Sequence, residues 1–133
     1  MAKNSLDHAL HNESVCKYLN KKPECADWVI TTAFYSALHF LRSKIFPLDL
    51  IENGKKIKFT DFDSYCSTKQ IAKGKHRTFS DLVEKEVPDP NLAVQFNWLK
   101  DMSWTARYNS YNFDRTYSNF ALEKLKLIKS FCQ

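Results

Sequence analysis

The chain has 133 residues, enough for one domain of ordinary size, and its 44% hydrophobic and 26% charged residues exclude a disordered polypeptide. Two glycines in the whole chain exclude Gly-rich phosphate loops and dinucleotide fingerprints. The net charge of +5 is unevenly placed: between Asn53 and Arg77, seven cations (Lys55, Lys56, Lys58, Lys69, Lys73, Lys75, Arg77) face only Asp61 and Asp63, which leaves 13 of each sign elsewhere.

The first fourteen residues carry no apolar stretch, so no secretory leader is expected. The most hydrophobic run, 28–46, is broken by Thr31, Thr32, Ser36, His39 and Arg42, too polar to cross a bilayer unaided. A cytoplasmic protein without membrane contact is the expectation. The four cysteines, Cys16, Cys25, Cys66 and Cys132, form neither a Cys-x-x-Cys pair nor a zinc spacing. They read as reduced packing residues, and no cofactor or metal is expected.

Helical periodicity begins over about 5–20, where Leu6, Leu10, Val15, Tyr18 and Leu19 form a ragged apolar stripe that Pro23 stops. A second helix is expected over about 24–46. Trp28, Phe34, Tyr35, Leu38, Leu41 and Ile45 recur there at three- and four-residue steps, and Pro47 ends the run. Asn53-Gly54 then sits between short alternating runs, the sign of a tight β-hairpin, and 63–73 can form a short irregular helix. A third main helix, from His76 or Thr78 to Glu86, buries Phe79, Leu82 and Val83. The fourth starts with Asp89 as cap and Pro90 at the first position, with Leu92, Phe96, Leu99 and Ala106 on one face. The fifth covers about 114–131, with Tyr117, Phe120, Ala121, Leu125 and Ile128 inward. The expectation is a single all-α domain over 1–133, a bundle of about five helices with a small hairpin insertion.

Candidate ligand residues fall at helix ends. Arg107 and Tyr108 close the fourth helix before the polar aromatic stretch Asn109 to Phe113, where a guanidinium and rings suit phosphate and base; a cation favourably placed at a helix C-terminus is the plainer explanation. His76 and Arg77 open a helix at the edge of the basic segment, where an anion would be favoured; a solvated basic pair serves equally well. Tyr35 and His39, one turn apart, share a face, as a pocket lining or as a satisfied core histidine.

Three stretches in order resemble the HEPN family, the helical proteins of prokaryotic toxin–antitoxin and defence systems. These are Trp28 followed by Ala33-Phe34-Tyr35-Ser36-Ala37-Leu38-His39, then Lys75-His76-Arg77 with Asp81-Leu82-Val83, and Met102-Ser103 with Ala106-Arg107-Tyr108. The resemblance implies a helical bundle that is often a homodimer, and a partner such as a cognate nucleotidyltransferase or antitoxin protein. It also implies a ligand that is RNA or a nucleotide.

Many members of that family are ribonucleases marked by an Arg followed, after four to six residues, by a His. Here Arg42 is followed at those positions by Pro47, Leu48 and Asp49, Arg77 by Leu82, Val83 and Glu84, Arg107 by Asn112, Phe113 and Asp114, and Arg115 by Phe120, Ala121 and Leu122. None is His. Asn112 can donate a hydrogen bond but cannot exchange a proton near neutral pH. The expected function is therefore a module that binds RNA, a nucleotide or a partner protein through Arg107, Tyr108, His76, Arg77, Asn112, Tyr35 and His39, with no catalytic motif as normally written. The alternative is a divergent, metal-independent ribonuclease using Arg107 with His76.

Overall fold

The structure, a computed structural model, describes residues 4–71, 74–110 and 112–133. Among them are six α-helices, a 3-10 turn and one antiparallel hairpin. The helices are α1 (Ser5–Leu19), α2 (Ala26–Ile45), α3 (Phe62–Lys69), α4 (Lys75–Glu86), α5 (Pro90–Tyr108) and α6 (Arg115–Cys132); the strands are β1 (Leu48–Glu52) and β2 (Lys55–Phe59). The chain is thus predominantly helical, with the five main helices expected and a sixth, α3, where a short irregular helix was expected over 63–73. No described helix is long and apolar enough to cross a membrane.

The helix starts follow from local chemistry. Asn4 accepts the Asp7 amide and Asp7 returns the bond, closing a capping box on α1; Asp61 and Ser64 do the same for α3. Asp89 caps α5 with Pro90 behind it, and Asp114 caps α6. Each cap satisfies amides that the first turn cannot pair. In the hairpin, Asn53 and Gly54 both take positive φ (52° and 76°), the two-residue turn whose twist matches the strands. Leu48, Leu50, Ile57 and Phe59 then share the inward face.

Helix α2 is the central element: α1, α5 and α6 all pack on it, and α4 packs on α5. The interior is a run of phenylalanines. Phe34 lies 5.7 Å from Phe96, Phe96 the same distance from Phe79, and Phe79 5.1 Å from Phe62, edge-to-face or tilted as ring quadrupoles prefer.

Helix α1 presents a different face from the one its apolar residues suggest, and α6 keeps the expected face but for its first turns. In α1 the buried residues are Ala9, Glu13 and Cys16, while Leu6, Leu10 and Tyr18 are exposed. Small side chains let α1 approach α2 closely, so the Ser36 hydroxyl reaches the Ala9 carbonyl at 2.7 Å and the Cys16 thiol the Val29 carbonyl at 3.4 Å. In α6 the inward set is Ser118, Ala121, Leu125 and Ile128, with Tyr117 and Phe120 outside. On α2, Trp28 is 54% exposed rather than part of the core stripe.

Candidate functional site

The last turn of α5, the middle of α2 and the first turn of α4 meet at one place. Ser103 and Ala106 are buried where α5 faces α2, and their small size holds the next residue, Arg107, against α2. Its Nε donates to the Ser103 carbonyl (3.2 Å) and its Nη1 to the Tyr35 hydroxyl (2.8 Å). The guanidinium carbon stands 5.5 Å from the Tyr35 ring centroid and 5.1 Å from that of Tyr108. Two of the five N–H donors of an arginine are thereby used, and among the described residues no carboxylate pairs with Arg107.

His76 completes this cluster. Its ring packs edge-on to Phe34 at 5.2 Å and to Tyr35 at 6.0 Å, and its Nδ1 is buried without a partner. Burial first, then the positive charges of Arg107, Arg42 and Lys100, hold its pKa below the ordinary histidine value. The imidazole is therefore neutral at pH 7 and surrounded by cations. The α4 N-terminus adds to this field, since its first turn contains no acidic residue and Gly74 offers no side-chain cap. Beside the cluster, Trp104 (52% exposed) and Tyr108 (64% exposed) form a tilted pair with centroids 5.4 Å apart.

Of the seven candidate residues, Tyr35, His76, Arg107 and Tyr108 are thus adjacent. Arg77 is exposed one residue from His76, and Asn112 is an exposed loop residue whose amide meets the Ser110 hydroxyl at 3.4 Å; no contact joins either to Arg107. Tyr111, part of the aromatic stretch, and Lys73, part of the basic segment, lie outside the described residues. The basic excess is also smaller in space than along the chain. Lys56 pairs with Asp49 at 3.6 Å, Lys75 with Asp63 at 3.4 Å, and Lys69 with Glu52. Asp49 and Glu52 come from β1, outside the counted segment, because the hairpin folds them back.

His39 belongs to a second place. It stacks on His8 at 5.0 Å, and burial, then Arg42 and His8, push its pKa down to about 4. With Arg42 it lines a cleft of about 810 Å³ between the starts of α1 and α3 and the ends of α2 and α6. Arg42 rests on the Phe62 ring at 4.7 Å and the Phe79 ring at 5.5 Å, its Nε buried and unpartnered. Sequence reasoning passed over Arg42, yet the signal existed: Tyr35, His39 and Arg42 follow at steps of four and three, one face of α2. The cysteines offer no nucleophile there, since burial pushes the Cys16 and Cys132 thiols up to about 11.

Comparison with family models, curated proteins and solved structures finds no match to this chain.

Proposed function

We propose that the chain is an RNA-binding module of the HEPN type, a homodimer working with a nucleotidyltransferase or antitoxin protein in a prokaryotic toxin–antitoxin or defence setting. The family part of this reading rests on the three stretches of resemblance, and the ligand part on the Arg107 cluster. One observation carries it: a guanidinium fixed by Ser103 and Tyr35, with no carboxylate on it, stands beside an exposed Trp104–Tyr108 pair. A phosphate takes the free N–H donors, and an unpaired base stacks on the rings. Single-stranded rather than double-stranded RNA suits this arrangement, because only an unstacked base offers its face to Trp104.

The test is binding of a fluorescently labelled single-stranded RNA across a salt series. Affinity is expected to fall steeply with salt and to drop about tenfold or more in Arg107→Ala, the loss of one charge-assisted contact. Absence of binding at low salt, or an unchanged affinity in Arg107→Ala, refutes the reading.

A second reading, a divergent ribonuclease, draws support from His76. An imidazole held neutral beside a fixed guanidinium is suited to take the proton of a 2′-hydroxyl through its other nitrogen, Nε2, and Arg107 to offset phosphorane charge. RNA cleavage without added metal that disappears in His76→Ala and in Arg107→Ala is the expected outcome under this reading. Intact RNA after prolonged incubation eliminates it.

A further inference from the structure

The cleft at the C-terminal end of α2 has a chemistry of its own. Arg42 is its cation, half-buried on two phenylalanine rings, with an orphaned Nε and no ion pair among the described residues. His39 lines the same cleft with an orphaned Nδ1. Two buried nitrogens left without partners at one cleft call for an explanation, because each costs desolvation that a hydrogen bond would offset. The apolar part of the lining is Leu6, Phe46 and Phe62.

Charge decides which ligand class fits. Asp61 and Asp63 stand on the rim; Asp61 is occupied as the α3 cap (2.8 Å to the Ser64 amide) and Asp63 pairs with Lys75. Both still repel a second negative charge. One guanidinium against two rim carboxylates disfavours a polyphosphate or a nucleic-acid strand, which would set a further phosphate against an aspartate. A single negative charge held on Arg42 meets less of this repulsion than a polyanion does, and an apolar body adds none. The volume, about 810 Å³ in an open cleft, is within the usual range for small-molecule sites.

We propose that this cleft is a binding site for a small organic monoanion, a carboxylate bearing an apolar ring or short chain, with the carboxylate on Arg42 and His39 and the body against Leu6 and Phe46. The site is independent of the RNA reading, which concerns Arg107.

The test uses benzoate and hexanoate as probes, titrated into the protein while the ring proton resonances of His8 and His39 are followed by NMR. Saturable shifts at His39 are expected at millimolar concentrations or below, with affinity reduced at least tenfold in Arg42→Gln. Thr60→Trp fills the cleft from an exposed loop position, and is expected to abolish the shifts while leaving RNA affinity unchanged. If Arg42→Gln fails to fold, Thr60→Trp decides alone. No saturable shift up to about 10 mM, retention of binding in Thr60→Trp, or displacement of benzoate by an equal concentration of inorganic phosphate overturns the proposal. A failure here leaves the Arg107→Ala comparison untouched, so the two readings are separable.

Discussion

His39 shows how a residue's surroundings set its chemistry. Its pKa of about 4, against an ordinary 6.5, comes first from burial and then from Arg42 and His8. The folded state thus binds its proton more weakly than the unfolded chain does. The resulting stability is complete above pH 6.5 and is lost as pH falls from there towards 4. The loss is on the order of 1–2 kcal/mol once solvent screening of the partly exposed ring is allowed for. Urea midpoints measured from pH 7 to pH 4 are expected to fall more steeply in the native protein than in His39→Gln; parallel profiles would contradict the assignment. Arg42, three residues on, shares the α2 face of Tyr35 and His39, but that spacing does not say what the arginine touches. What distinguishes it is a pair of rings, Phe62 and Phe79, contributed from twenty and thirty-seven positions away.

At the scale of elements, polar clasps join α1 to α6. Glu13, almost fully buried, receives Lys129 of α6 at 2.9 Å and Lys17 of its own helix at 3.5 Å. Arg115 at the start of α6 donates to the Asn20 carbonyl at the end of α1. Removing a buried partner strands the other charge. Glu13→Ala is accordingly expected to cost about 1–3 kcal/mol, less than a fully enclosed pair because both lysines retain access to solvent. A double-mutant cycle with Lys129→Met, read by chemical denaturation, checks this: additive losses would show that the two residues do not act together. The hairpin was the most legible element of all. Asn53-Gly54 requires positive φ at both positions, and few other turns do.

For the molecule as a whole, the phenylalanine run ties helices distant in sequence into one core. Phe96 of α5 touches both Phe34 of α2 and Phe79 of α4 and is fully buried. Phe96→Ala is expected to destabilise by about 3–5 kcal/mol through lost transfer energy and the cavity left behind. Unfolding should remain a single transition shifted to lower temperature, since the ring serves three helices at once. Separate transitions for α4 and for α2 with α5, in calorimetry, would show that the core is not shared.

The helices, their order, the caps at Asp89 and Asp114 and the hairpin turn are properties of neighbouring residues, and the sequence alone determined them. So did the candidacy of Arg107, His76 and Tyr35. Which face of α1 turns inward was a tertiary decision, because Ala9 and Cys16 offer close approach where Leu6 and Leu10 offer only area; on α6 the expected Ala121, Leu125 and Ile128 are buried and only Tyr117 and Phe120 turn out. Tertiary structure alone also brought His8 to His39 and Phe62 to Arg42, set His76 beside Arg107, and turned Glu52 back onto Lys69. Each of these depends on a distance between residues far apart along the chain, and periodicity records only the near ones.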